Sequence, residues 1–149
     1  MGIASLPPRY ELKYASGVSI GVRHVEMVER IYSKGGNGYV VSVGYAGYLS
    51  DDSFSQEGID YIELLLSIVD EARAFAAEEL LETYNDVWSE NEVTITSEEF
   101  KKNLELSFME ILDEPNSADL YFSDNDMFAG HSVVVLVKGA TLRYARLLG

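Results

Sequence analysis

The spacing of apolar positions changes twice along this chain, from loose alternation to helical spacing after about residue 58, and back to alternation after about residue 105. Pro7 and Pro8 set an extended entry. Beyond them Tyr10 to Tyr14 and Val18 to Val28 alternate around Gly17 and Gly21 as hairpin strands do. Gly35-Gly36-Asn37-Gly38 reads as a turn, and the β-branched and aromatic residues from Tyr39 to Tyr45 predict a third strand.

From Gly58 to Val87 the apolar residues Ile62, Leu65, Leu66, Val69, Ala72, Ala76, Leu80 and Val87 share one face of a single long helix. Asp60, Glu63, Asp70, Glu71, Glu78, Glu79, Glu82 and Asp86 lie opposite. Leu64, Ile68 and Phe75 form a second apolar stripe among these acids, either covered by the chain itself or serving as a homodimer contact. Thr96-Ser97-Glu98-Glu99 is a capping box opening a short helix with Phe100 and Leu104 inward. Leu106 to Leu112 then reads as strand and Pro115-Asn116-Ser117 as a turn. Ala118, Leu120 and Phe122 alternate with Asp119, Tyr121 and Ser123 in the returning strand. His131 to Val137 suits a central strand and Thr141 to Leu147 a final one, joined at Lys138-Gly139. The expected fold is α+β, a mostly antiparallel sheet packed against one long and one short helix. Residues 1–149 are expected to form a single domain, with N-terminal strands over 1–50, a helical block over 58–105 and C-terminal strands over 106–149.

Charge changes this picture more than composition does. The net charge is −14, and residues 51–119 alone carry twenty acidic against three basic residues, a local −17. Such a field repels phosphate backbones and anionic lipids and attracts basic proteins, so nucleic-acid and membrane partners are disfavoured. The chain has no cysteine, which excludes disulfides, thiolate metal sites and cysteine nucleophiles and leaves two histidines as the only soft ligands. No apolar run approaches the roughly 20 residues that span a bilayer, and residues 1–10 lack the pattern of a secretory leader. The expected location is cytoplasmic, and no cofactor is implied.

No motif carries catalysis by itself. The glycines at 35, 36 and 38 lack the following lysine and hydroxyl residue of a phosphate loop, and a strand follows them. His24 and His131 have no spacing that joins them as an acid–base pair. Adjacent acids such as Glu78-Glu79 and Glu98-Glu99 point in different directions on a helix. The most individual segment is Asp124-Asn125-Asp126-Met127-Phe128-Ala129-Gly130-His131. Its Asx residues suit a tight reversal, Phe128 suits the core beneath it, and Gly130 suits a positive φ. An EF-hand is excluded because Phe128 stands where an oxygen ligand belongs. The chemical alternative is a polar site in which Asp124 or Asp126 orients His131 as a general base or metal ligand.

The succession of Ala76-Ala77-Glu78-Glu79-Leu80-Leu81, Tyr84-Asn85-Asp86-Val87-Trp88, Thr96-Ser97-Glu98-Glu99-Phe100 and Leu120 to Ser132 resembles the bacterial family catalogued as domain of unknown function 2262, over about residues 72–149. The resemblance implies an α+β bacterial protein without an established activity, with some relatives in toxin and immunity gene neighbourhoods. Together with the charge, it leads to the expectation of a non-enzymatic protein-binding domain of immunity type. Glu71, Glu78, Glu79, Glu82 and Asp86 would face a basic toxin. A small-molecule or metal-dependent enzyme using Asp124, Asp126 and His131 is one alternative, and a structural homodimer through Leu64, Ile68 and Phe75 is another.

Overall fold

The computed structural model describes residues 26–89 and 93–148. The strands expected before residue 26, and His24, lie outside the described residues. Within them six strands form one sheet: β1 (Val28–Lys34), β2 (Asn37–Val43), β3 (Glu105–Ile111), β4 (Ser117–Ser123), β5 (Ser132–Lys138) and β6 (Thr141–Leu148). Spatial order follows chain order, and every neighbouring pair is antiparallel except β2 and β3. That parallel pair follows from the helical block between them, because parallel neighbours need a long crossover where antiparallel ones need only a turn.

β1 is a strand that the alternation did not predict. It pairs with β2 through a turn at Gly35 and Gly36, with φ of 57° and 84°, a conformation that glycine adopts without steric cost. Its polar content is that of an edge strand, with Glu29, Arg30, Ser33 and Lys34 among seven residues.

The helical block is α1 (Gln56–Ser67), α2 (Val69–Thr83), a π-helical turn (Tyr84–Trp88) and α3 (Ser97–Lys102). The single long helix expected over 58–87 is therefore two helices and a π turn. The break falls at Ile68, whose φ of −110° and ψ of 12° leave the helical region although neither glycine nor proline is near. Burial on both sides of the break accounts for it. Ile62 and Leu65 of α1 and Ala72 and Ala76 of α2 are all fully buried, and the break lets each helix turn its own stripe to the sheet. The π turn adds a residue to its last turn and carries Val87, expected inward, out to 72% exposure. The short helix is as expected, with the Thr96 hydroxyl accepting the Glu99 N–H at 3.1 Å and the Glu99 carboxylate accepting the Thr96 N–H at 2.9 Å.

The helices pack against one face of the sheet, where Val41, Val43, Met109, Ile111, Leu120, Phe122, Val133 and Val135 join them in the core. Alternation sends Ser42, Glu110 and Asp119, neighbours on β2, β3 and β4, to the opposite face. All three are nonetheless buried. Glu110 accepts the Tyr121 hydroxyl at 3.0 Å, and Asp119 pairs with Arg146 at 3.3 Å. α1 is tied to β1 by Glu63, which receives both the Tyr32 hydroxyl and the Lys34 ammonium. No helix among the described residues is long and apolar enough to cross a membrane.

Candidate functional site

Two surfaces carry the residues singled out in the sequence, and they adjoin at the π turn. The first is the segment between β4 and β5. Asp124 is buried and its carboxylate is spent on its own turn: Oδ1 accepts the Asp126 N–H at 3.0 Å and Oδ2 the Phe128 N–H at 2.8 Å. This double Asx bond holds Asn125 and Asp126 at positive φ, and the chain reverses again at Ala129 and Gly130, with φ of 53° and 90°. The His131 N–H closes on the Phe128 carbonyl at 3.1 Å, and its ring Nδ1 lies 2.7 Å from the same oxygen. A carbonyl only accepts, so Nδ1 carries the proton and Nε2 is the acceptor of the neutral ring.

The three residues grouped as a candidate catalytic site thus share one turn without a hydrogen bond from either carboxylate to the ring. Among the described residues neither Asp124 nor Asp126 bonds the His131 ring, and no group of three or more metal-ligating side chains forms. His131 instead stands against Trp88, ring centroids 5.5 Å apart and nearly edge-on. Phe128 is fully buried beneath Trp88, Tyr84 and Phe100, at 5.6, 5.5 and 6.0 Å. The π turn and the Asp124–His131 turn are therefore one aromatic assembly, a relation no spacing in the sequence displays.

Between these turns lies a cavity of about 460 Å³, walled by Tyr84, Trp88, Ile95 and Met127, with Asn103 and Asp126 at its polar side. Its frame is fixed by hydrogen bonds. The Asn85 amide exchanges two bonds with Ile95, at 2.9 and 3.2 Å, and Asn125 reaches Asn103 at 2.9 Å. Asp126 projects as an exposed carboxylate.

The second surface is the outer face of α2 and the π turn. Glu71, Glu78, Glu79, Glu82 and Asp86 are all exposed, and none has an ion-pair partner among the described residues. The one basic residue of α2, Arg73, is engaged by Asp70 at 2.5 Å and by the Leu104 carbonyl at 2.9 Å. Leu64, Ile68 and Phe75, the candidate dimer stripe, are half-buried and packed on the core.

This α+β architecture, a six-stranded sheet with helices inserted between its second and third strands, has a family identity. The chain belongs to the bacterial family described as uncharacterized protein conserved in bacteria (DUF2262), which matches residues 41–141. The match begins in β2, earlier than the resemblance read from residue 72, and ends at the first residue of β6. No curated protein and no solved structure matches the chain.

Proposed function

We propose that this chain is a protein-binding domain that receives a basic partner on the acidic face of α2 and the π turn. The carrying observation is that, among the described residues, five exposed acids on this face lack a cationic partner and the helix's own arginine is committed elsewhere. Uncompensated charge of one sign accelerates encounter with an oppositely charged surface and sets its orientation, and exposed Val87 adds an apolar contact beside it. Neutralisation of a basic toxin is the form that the family resemblance gives this role. An enzyme centred on Asp124 and His131 has less support, because both oxygens of the Asp124 carboxylate are taken by backbone N–H groups and the His131 Nδ1 is bonded to a backbone carbonyl instead of a carboxylate.

Capture of partners from the source bacterium, repeated with Glu78→Lys/Glu82→Lys, tests the proposal. A partner of net positive charge should be retained at low salt, released near 0.5 M salt, and lost at least about tenfold in association rate with the double variant. A partner that binds both forms equally at either salt concentration contradicts the reading.

A further inference from the structure

We infer that the cavity between the π turn and the Asp124–His131 turn receives an arginine side chain of the partner. The inference rests on the proposed protein-binding role and assigns its anchor. A volume of about 460 Å³ lies toward the small end of ligand pockets, suiting one long side chain and its flanking backbone. The walls are chemically divided in the way an arginine is. Ile95 and Met127 match its methylene stem, Tyr84 and Trp88 offer aromatic rings to a planar cation, and Asp126 supplies a carboxylate.

The alternatives fit less well. An anion would enter a cavity lined by Asp126 and within the reach of the −17 block. A neutral apolar ligand would desolvate Asp126 without giving it a partner, which costs free energy with nothing returned. A lysine ammonium would satisfy the charge, yet it can neither stack flat on an indole nor take a carboxylate through two parallel bonds. Asp86 belongs to the π turn whose Tyr84 and Trp88 wall the cavity, so the acidic ridge of α2 ends on the element that carries the cavity's aromatic rings. Steering along the ridge and anchoring in the cavity are two stages of one encounter.

Trp88 is the chain's only tryptophan, so intrinsic fluorescence reports on this cavity. The probe is a blocked Gly-Arg-Gly tripeptide, titrated against the same peptides carrying citrulline or lysine. Arginine should give a saturable change in Trp88 emission, with citrulline and lysine weaker by at least about tenfold and about threefold, as expected for loss of charge and loss of the planar fork. Asp126→Asn should abolish the arginine response while leaving the unfolding midpoint in place, since the turn uses the Asp126 backbone N–H and not its carboxylate. No saturable change, equal response to citrulline or lysine, or full response in Asp126→Asn would each overturn the inference. The anchor fails separately from the proposed function: a captured partner that is lost with Glu78→Lys/Glu82→Lys but kept undiminished by Asp126→Asn leaves the acidic face standing and removes the anchor.

Discussion

Within the Asp124–His131 turn each residue has a different reason to be there, and two substitutions separate those reasons. Ala129 sits at φ 53°, where a β-carbon costs about 1–2 kcal/mol, while glycine loses about 0.5–1 kcal/mol more chain entropy on folding. Ala129→Gly should therefore stabilise the fold by up to about 1 kcal/mol, read as a higher urea midpoint at unchanged slope. Asp124→Ala should act in the opposite direction. It strips two backbone N–H groups of a charged acceptor inside a buried turn and should cost about 2–4 kcal/mol, measured in the same way. The turn was legible in the sequence because Asx chemistry is local, and so was the burial of Phe128. Which aspartate is buried and which exposed was not, because two identical side chains separated by one residue differ only in what the rest of the fold places around them. The same holds for His131, whose partner is a carbonyl that the sequence cannot point.

Helices and strands were legible where a local rule decides them, and α3 and α1 show the difference. The capping box at Thr96 needs only four residues to specify it. Glu99 is held below the ordinary glutamate range, chiefly by the Thr96 backbone N–H and then by its hydroxyl. A depressed pKa contributes stability that is complete above the ordinary range and is lost as pH falls through the depressed value. Unfolding free energy should thus decline on acidification below about pH 4.5, with a shallower decline in Glu99→Gln. Thr96→Ala should cost about 1 kcal/mol at neutral pH. At the start of α1 local reasoning gives the wrong sign. Alanine is a better helix former than glycine by about 1 kcal/mol, so Gly58→Ala looks favourable on propensity. A β-carbon there would stand 2.2 Å from the Tyr48 carbonyl oxygen, against a short 3₁₀ turn already bonded to Ser55. Gly58→Ala should lower the thermal midpoint instead, because the obstacle is backbone with no flexible end to move aside. The break at Ile68 and the π turn escaped the sequence because each is set by packing between elements, without a glycine or proline to mark it; β1 escaped because, although Gly35 and Gly36 mark its end, its polar residues show no clear apolar alternation.

At the scale of the whole molecule the sequence shows how much charge there is and where it lies along the chain, but not whether it is cancelled in space. The middle of the chain carries −17, and its five outward acids on α2 and the π turn stand without cations among the described residues. Strand order was beyond reach too, since a period of two assigns faces and not neighbours. The uncancelled charge has two consequences of opposite sign. Within the folded chain the acids repel one another, so screening should favour the native state. Between this chain and a basic partner the same acids attract, so screening should oppose the complex. Raising salt from about 0.02 M to about 0.5 M shortens the screening length from roughly 20 Å to roughly 4 Å, below the spacing of successive turns on α2. Stability of the isolated chain should rise over that range while affinity for the partner falls, both recorded on one preparation by denaturant titration and by binding. Glu78→Lys/Glu82→Lys should flatten both dependences together. If stability proved indifferent to salt while binding weakened, the attraction would have to arise elsewhere than in the repelling acids of this face, and the α2 surface would lose its claim to the partner.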